Sequence, residues 1–343
     1  LPSWFPAAAT TADRFVLLVL DGLGWDQLRE RWALAPNMAS MDAEVLTSVA
    51  PSTTSTALTS ITTGLPPGEH GIVGYRVDLG GTVANMLRWH DGTRDLRRVF
   101  EPERVQPFPP FLGARVSVVT KSEFAETGFT RAHLRGTAAR SWRMSSAISV
   151  EVSEALAAGD ELVYAYYDGI DKVAHEFGFG PRYDAELRAA DRIVGDLLDA
   201  APSDVCVLVT ADHGQVEVRE AARSLPEPVM RHVHHQSGEG RFRWLHAHPG
   251  QHGSLLAAAT AAFSHVAWVV TKAQVLERNW LGPVVSGPIA SRLGDVALVP
   301  FADVAFSDPD DTGGFPLICR HGSLTAAEML VPFLGAHGRS VGR

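Results

Sequence analysis

RFVLLVLDGLG, residues 14–24, decides how the rest of the chain is read. Six apolar residues, mostly Val and Leu, run without a polar break and then stop at Asp21, followed by two closely spaced glycines. So short and uniformly apolar a run is the pattern of a strand buried on both faces, as when helices cover a parallel sheet. The pattern recurs in ARVSVVTKSEF at 114–124, ELVYAYYDGID at 161–171 and DVCVLVTADHG at 204–214. Between these runs, SVEVSEALAAG (149–159) and RYDAELRAADRIVGDLLDAA (182–201) repeat apolar residues at intervals of three and four, the spacing of a helix with one covered face. Alternating strands and helices predict an α/β fold with a doubly wound, mostly parallel sheet flanked by helices, in a single domain over 1–343. The rhythm breaks at about 216–290, where Pro, Gly, aromatics and a His-rich run predict a small inserted cap. It is expected to resume near DVALVPF (295–301) and to end in HGSLTAAEMLVPFLGAHG (321–338).

A chain of 343 residues, 45% hydrophobic and 20% charged, has the composition of a globular protein with a sizeable core. Its formal charge of −9 lacks the basic stripe that a phosphate backbone requires, so nucleic acid is not an expected partner through charge. Cys206 and Cys319 are too few and too far apart for a disulfide framework or a CxxC metal knuckle, which leaves His, Asp and Glu as metal ligands. No apolar run reaches the roughly 18 residues of a membrane span, and LPSWFPAAATTADR has neither the basic nor the apolar region of a signal peptide. The expectation is a cytoplasmic protein, although a first residue of Leu leaves a trimmed precursor open. Nothing in the sequence speaks to oligomeric state.

Open α/β sheets bind ligands beyond the carboxyl ends of their strands, and here those ends carry acids. Asp21 follows the first run, Asp168 and Asp171 the third, and Asp212 with His213 the fourth. One Asp after a strand is an ordinary helix cap, and one His before a Gly is an ordinary turn residue. Gathered at one edge, however, carboxylates repel one another unless a cation neutralises them. DKVAH spaces Asp171 and His175 four apart, TADHG places Asp212 beside His213 on a turn, and CRHGSL adds His321 after the loop SDPDDTGGFP. With Asp21, these residues make six ligands, enough for two divalent ions with three each and open positions for substrate. Such a pair suits in-line displacement at phosphorus. Zinc fits the donor set best and manganese is an alternative, since His/Asp sites accept several ions.

APSTTSTALTSITTGLPPGEHGIVGY, residues 50–75, places nine Ser or Thr between positions 52 and 63. Together with Asp21, DKVAHEFG, TADHG and RHG in that order, this stretch resembles the alkaline phosphatase superfamily, and most closely its nucleotide pyrophosphatase/phosphodiesterase branch. The resemblance spans residues 16–322. In that branch the nucleophile is a Thr three residues after a Pro and ten before the Gly of TGL; counting from Pro51 and from Gly64 both give Thr54. The resemblance implies that Asp21, Asp212 and His213 hold the metal that activates Thr54, itself a ligand, and that Asp171, His175 and His321 hold the one facing the leaving group. It further implies a phosphothreonine on Thr54, hydrolysed by water with net retention at phosphorus. Ser52 and Thr53 are expected to cap the helix behind Thr54, and Thr56, Ser60 and Thr63 to satisfy its packing or polar face.

The branch usually has an Asn shortly after HGI to bond a phosphate oxygen, and Tyr75 stands there instead. Tyr75, Lys121 and Asn85 are the candidates for that role, although Lys121 is equally well read as a partner of Glu123. The substrate implied is a small phosphodiester or pyrophosphate of nucleotide type. A phosphonoacetate-type hydrolase or a phosphomonoesterase on the same ligands is the alternative, and a non-catalytic metal-binding module a remote one. A sulfatase is disfavoured because neither cysteine lies in a CxPxR context. His70 and Trp25 read as a turn residue and a packing residue. RHVHHQSGEGRFRWLHAHPGQHG carries His232, His234, His235, His246, His248 and His252, and invites a third metal site. The alternation in GRFRWLHAH reads instead as an exposed strand of the cap.

Overall fold

The computed structural model describes residues 2–218, 222–311 and 317–339. Two main sheets are built, in chain order, from β1 (Arg14–Leu20), β2 (Asp42–Thr47), β3 (Ser117–Lys121), β4 (Ala138–Trp142), β5 (Leu162–Tyr167), β6 (Val205–Thr210), β7 (Val233–Glu239), β8 (Phe242–Ala247), β9 (Ala267–Thr271), β10 (Val296–Pro300) and β11 (Leu330–His337). The helices that matter most are α1 (Thr54–Thr63), α2 (Ile148–Ala157), α3 (Gly169–Phe177), α4 (Pro181–Ala200) and α5 (His252–Phe263).

Seven strands form the central sheet in the order β2-β11-β6-β1-β5-β3-β4. The run from β6 to β4 is parallel, and β11 lies antiparallel to both β6 and β2. Helices cover both faces, so the mostly parallel, doubly wound sheet expected from the apolar runs is what forms. Alternate residues of β1 serve the two sides. Val16, Leu18 and Leu20 pack with Val152 and Ala155 of α2 and with Leu187 and Val194 of α4, whereas Val19 joins Leu58 of α1 and Tyr164 and Tyr166 of β5. Each fully buried aliphatic side chain contributes about 1.5–3 kcal/mol, which explains why the central strands read as unbroken apolar runs. The edge strand β2 keeps Asp42 and Glu44 exposed, charges that discourage further strand pairing.

The second sheet is antiparallel, in the order β7-β8-β10-β9. This corrects the expected return of the chain at DVALVPF: residues 296–300 form an interior strand here and do not rejoin the central sheet, which regains the chain only at β11. The reason is that Ala297 and Val299 pack with Phe242 and Trp244 over the segment around Ile72 and Trp89, while Val296 and Leu298 pack with Leu245, Leu255 and Ala259 under α5. An apolar run covered on both sides looks the same in either sheet.

The second sheet also corrects the reading of GRFRWLHAH as exposed. Residues 241–245 are no more than 2% exposed. Alternation there reflects two charged side chains that are buried and paired. The Arg241 guanidinium donates to both carboxylate oxygens of Glu328 at 2.7 Å, tying the second sheet to the segment that leads into β11. Arg243 and Arg76 share Asp308. No described helix is long and apolar enough to cross a membrane.

Candidate metal centre

Every parallel strand that ends beside β1 delivers a polar side chain to one crevice. The chain leaves β1 at Asp21 and turns at Gly22, whose φ of 73° is a glycine conformation. A Cβ there would lie 2.5 Å from Gln215 Nε2 and 3.0 Å from Asp171. Asp21 Oδ2 accepts from the Tyr166 hydroxyl, and Asp212 Oδ1 accepts from the backbone N–H of Gly22 at 3.1 Å and of His213 at 3.0 Å. The other oxygens, Asp21 Oδ1 and Asp212 Oδ2, are buried and have no hydrogen-bond partner. Desolvation pushes the Asp21 carboxyl well above the usual range, and the charges of Asp212 and Asp171 push it further. Asp212 is also raised, because desolvation outweighs the help of His213 and the Gly22 N–H. Two orphaned carboxylate oxygens in a dry, crowded pocket fit a cation and little else.

The histidines complete the argument. His175 Nδ1 lies 2.7 Å from the Cys319 carbonyl, His213 Nδ1 3.1 Å from the Gly214 carbonyl, and His321 Nδ1 2.9 Å from the Ser52 carbonyl. A carbonyl can only accept, so each Nδ1 carries a proton; in the neutral ring this leaves Nε2 as a lone pair, the arrangement that metal-ligating histidines adopt. All three Nε2 atoms face the acids: His175 lies 3.2 Å from Asp171 Oδ1, His213 3.5 Å from both Asp21 Oδ1 and Asp212 Oδ2, and His321 4.0 Å from Asp171 Oδ1. The His213 and His321 rings stack at 3.6 Å, and burial first, then the neighbouring imidazoles, hold His321 well below its ordinary pKa. Asp171 is oriented by Gln215, whose Nε2 donates to its Oδ1 at 2.8 Å.

Of the donor triples whose ligand atoms lie within 4.8 Å of one another among the described residues, two meet in this crevice: Asp21, Asp212 and His213, and then Asp171, His213 and His321. The first matches the set expected for the ion that activates Thr54. In the second, His213 takes the place that the resemblance implies for His175, which flanks Asp171 instead. Thr54 begins α1, and its Oγ1 lies 3.1 Å from His213 Nε2. In the neutral ring with Nδ1 protonated, the hydroxyl donates to that nitrogen.

Neither Ser52 nor Thr53 caps α1 with its side chain, contrary to expectation; Thr53 occupies the N-cap position in an extended conformation without a side-chain bond to the helix. The Ser52 hydroxyl is committed elsewhere, donating to the Ser323 carbonyl at 2.6 Å and accepting from the Gly322 N–H at 3.2 Å. It thereby locks the Thr54 loop to the His321 loop. Of the stretch 307–316, residues 312–316 lie outside the described residues. Further along α1, Ser60 meets His70 Nε2 at 2.9 Å and Thr63 donates back to the Thr59 carbonyl at 2.7 Å. His70 Nδ1 accepts from the Ile72 N–H at 3.1 Å, and burial and Arg292 hold its pKa down to about 3. Trp25 packs edge-on against Trp32 at 5.9 Å.

Of the candidates for substrate contact, Tyr75 lines the cleft with Thr54, Asp171, His175 and His321. Asn85 stands beside the Tyr75 hydroxyl, whose pKa is raised by burial and by Asp311; its Oδ1 accepts from the Arg88 N–H at 3.0 Å. The Lys121 ammonium is 3.2 Å from both Asp168 oxygens and 3.4 Å from Glu123. Asp168 also binds Lys172 at 2.6 Å, and Lys172 lines the cleft.

Four residues at the site were not singled out from sequence. Tyr166 and Lys172 carry a signal, since each lies a fixed step from a named acid in YYDGIDK. Gln215 and Glu239 carry none. Glu239 is buried, desolvation pushes its carboxyl up to about 8, its Oε1 has no partner, and its Oε2 lies 3.9 Å from His321 Nδ1. Beyond Asp21 and Thr54 the crevice opens into a cavity of about 670 Å³, walled by Leu58, Leu87, Phe124, Phe129, Leu134 and Tyr164.

Residues 15–277 match the model of a family described as type I phosphodiesterase / nucleotide pyrophosphatase. A comparison with curated proteins finds no match. Among solved structures, human ectonucleotide pyrophosphatase / phosphodiesterase 5 superposes with a TM-score of 0.70 at 16% identity, covering 95% of this chain and 88% of that one. An inactive form of the murine protein in complex with AMP gives 0.69 at 15%, covering 94% and 87%. Phosphonoacetate hydrolase from Sinorhizobium meliloti 1021, in complex with phosphonoacetate, gives 0.68 at 17%, covering 96% and 90%. At such identities these likenesses speak for the fold.

Proposed function

The chain belongs to the type I phosphodiesterase / nucleotide pyrophosphatase family, and from that premise we propose that it is a two-metal hydrolase of phosphodiester or pyrophosphate bonds in nucleotide-like small molecules. One observation carries the reading: three histidines are fixed by backbone carbonyls with their Nε2 atoms turned to the acids, His213 towards the buried, unpartnered Asp21 Oδ1 and Asp212 Oδ2, and His175 and His321 towards Asp171 Oδ1. Asp21, Asp212 and His213, with Thr54, would hold one ion, and Asp171, His175 and His321 the other. Zinc suits the donors, and manganese is the alternative. When bound, such a pair supplies Lewis-acid stabilisation of the attacking and leaving oxygens.

The remaining work belongs to the chain. Thr54 Oγ1, its proton given up to solvent, would bond to phosphorus as the bond to the leaving oxygen breaks and that oxygen takes up a proton from solvent; a water would then displace Oγ1 in line, its released proton restoring the hydroxyl, giving net retention. Tyr166 and Gln215 hold Asp21 and Asp171 in position, and the Ser52 bonds keep the nucleophile's loop and the His321 loop in register. Tyr75, Arg88 and Lys172 line the cleft with Thr54 and, with Asn85 beside Tyr75, would donate to a phosphate oxygen, while Lys121 would act through Asp168. The apolar cavity favours diesters, because its volume falls in the range of small-molecule sites and it suits a second, bulky ester group. A phosphonoacetate-type or monoester activity is the second reading, favoured by Tyr75 standing where the family's diesterases have Asn.

Turnover of a nucleotide aryl diester, an aryl monoester and phosphonoacetate by zinc-loaded protein tests this. A diester preference of about a hundredfold, roughly 2.7 kcal/mol, supports the first reading. A preference for the monoester or phosphonate selects the second, and a Thr54→Ala variant as active as wild type removes the mechanism.

A further inference from the structure

The His-rich run does more than build a strand. Two of its six histidines, His235 and His246, are directly opposed in the β7–β8 ladder. Their rings stack at 3.9 Å with 18° between planes, and both point at Asp78, which ends the short strand Arg76–Asp78. His235 Nε2 is 2.9 Å and His246 Nδ1 3.6 Å from Asp78 Oδ2, and one ligand atom from each of the three lies within 4.8 Å of the others.

From these contacts we propose a third metal site, for a zinc-class divalent cation held by Asp78, His235 and His246, separate from the phosphoryl-transfer cluster. Tetrahedral bonds of about 2.0–2.2 Å place neighbouring ligand atoms about 3.4 Å apart, and the two observed nitrogen–oxygen separations bracket that spacing. Each ligand has a partner that fixes it from behind. His246 Nε2 meets the Ser237 hydroxyl at 2.8 Å, His235 Nδ1 meets His234 Nδ1 at 2.8 Å, and Asp78 Oδ1 accepts from the Gly81 N–H at 2.6 Å. Such outer contacts orient ligating rings and carboxylates in metal sites generally. The His235 side chain is 22% exposed, against 9% for Asp78 and 11% for His246, so a solvent ligand completes the coordination on its side. The stacked imidazole pair also repeats the His213–His321 arrangement of the main cluster.

The placement suggests a role. β7 carries His235 near one end and Glu239 at the other, about 13 Å along the strand. Asp78 lies three residues after Tyr75. A cation at the proposed site joins the segment that bears Tyr75 to the strand that bears Glu239, and so holds two walls of the cleft together.

Zinc content after equilibrium dialysis of the full chain tests the proposal. Asp78→Asn keeps the acceptor for Gly81 and is expected to bind one zinc fewer than wild type; His235→Gln/His246→Gln is expected to lose the same equivalent, and His248→Gln/His252→Gln none. Ser237→Ala is expected to weaken that equivalent roughly 10- to 100-fold. Folded Asp78→Asn protein with wild-type zinc content overturns the site. The readout is a difference of one equivalent that includes no turnover, so it stands apart from the proposed hydrolase: Asp21→Asn/Asp212→Asn reports on the phosphoryl cluster and should not change the equivalent assigned to Asp78.

Discussion

Two parts of this molecule bury charge, and they do so in opposite ways. At the carboxyl edge of the central sheet, Asp21, Asp171 and Asp212 crowd together with no Lys or Arg ion-paired to them among the described residues, and two of their oxygens have no partner. In the second sheet, Arg241 is matched fork to fork with Glu328, and Arg243 and Arg76 converge on Asp308. Burying an unmatched carboxylate costs several kcal/mol, whereas a matched, hydrogen-bonded pair recovers most of that cost. The Arg241–Glu328 pair is therefore complete as it stands. The sheet edge is an arrangement whose acids become favourable only with cations, and it holds the Thr54 hydroxyl among them.

The contrast can be broken or sharpened by experiment. The largest effect should come from Thr54→Ala, which is expected to lower kcat/KM by at least about 10³-fold, roughly 4 kcal/mol of transition-state stabilisation, while circular dichroism shows an unchanged fold. Next, Arg241→Met should leave Glu328 as an uncompensated buried charge and destabilise the protein by about 3–5 kcal/mol in urea unfolding. A cost below about 1 kcal/mol would mean that Glu328 is not held as a buried charge by Arg241.

A smaller effect belongs to His133, which lines the apolar cavity and whose pKa burial lowers to about 4. Below its unfolded value of about 6.5 the unfolded chain binds a proton that the folded chain refuses, so stability is full above that pH and falls as pH drops towards 4. At pH 5 the loss from this residue is about 2 kcal/mol, and His133→Phe should flatten the pH dependence of unfolding by that amount. Smallest is Asp212→Asn in chelator-treated protein. Removing one charge from the crowded edge should raise stability by on the order of 1 kcal/mol, the reverse in sign of Arg241→Met, and the same substitution should weaken zinc binding.

Much of the centre could be read before the fold. The acids announce themselves because each follows a run that can only be a buried strand, and chain order places those strands' ends together. Thr54 is picked out by the resemblance, through its distances from Pro51 and Gly64. Lys121 was harder: it lies at the expected sheet edge, but its ammonium meets Asp168, a partner 47 residues away, and no local spacing reports such a contact.

The amino-acid sequence by itself determined the parallel sheet and the acids that follow its strands, because those signals are periodic or lie within a few residues of a strand end, whereas the histidines as a set and Thr54 were legible through the resemblance of their motifs. Only the tertiary structure decided that residues 296–300 belong to the second sheet, which ring nitrogens are bare, and that His235 and His246 meet Asp78. These depend on which carbonyl, strand or carboxylate arrives from far along the chain, and an apolar run or a lone histidine reads the same whichever partner it finds.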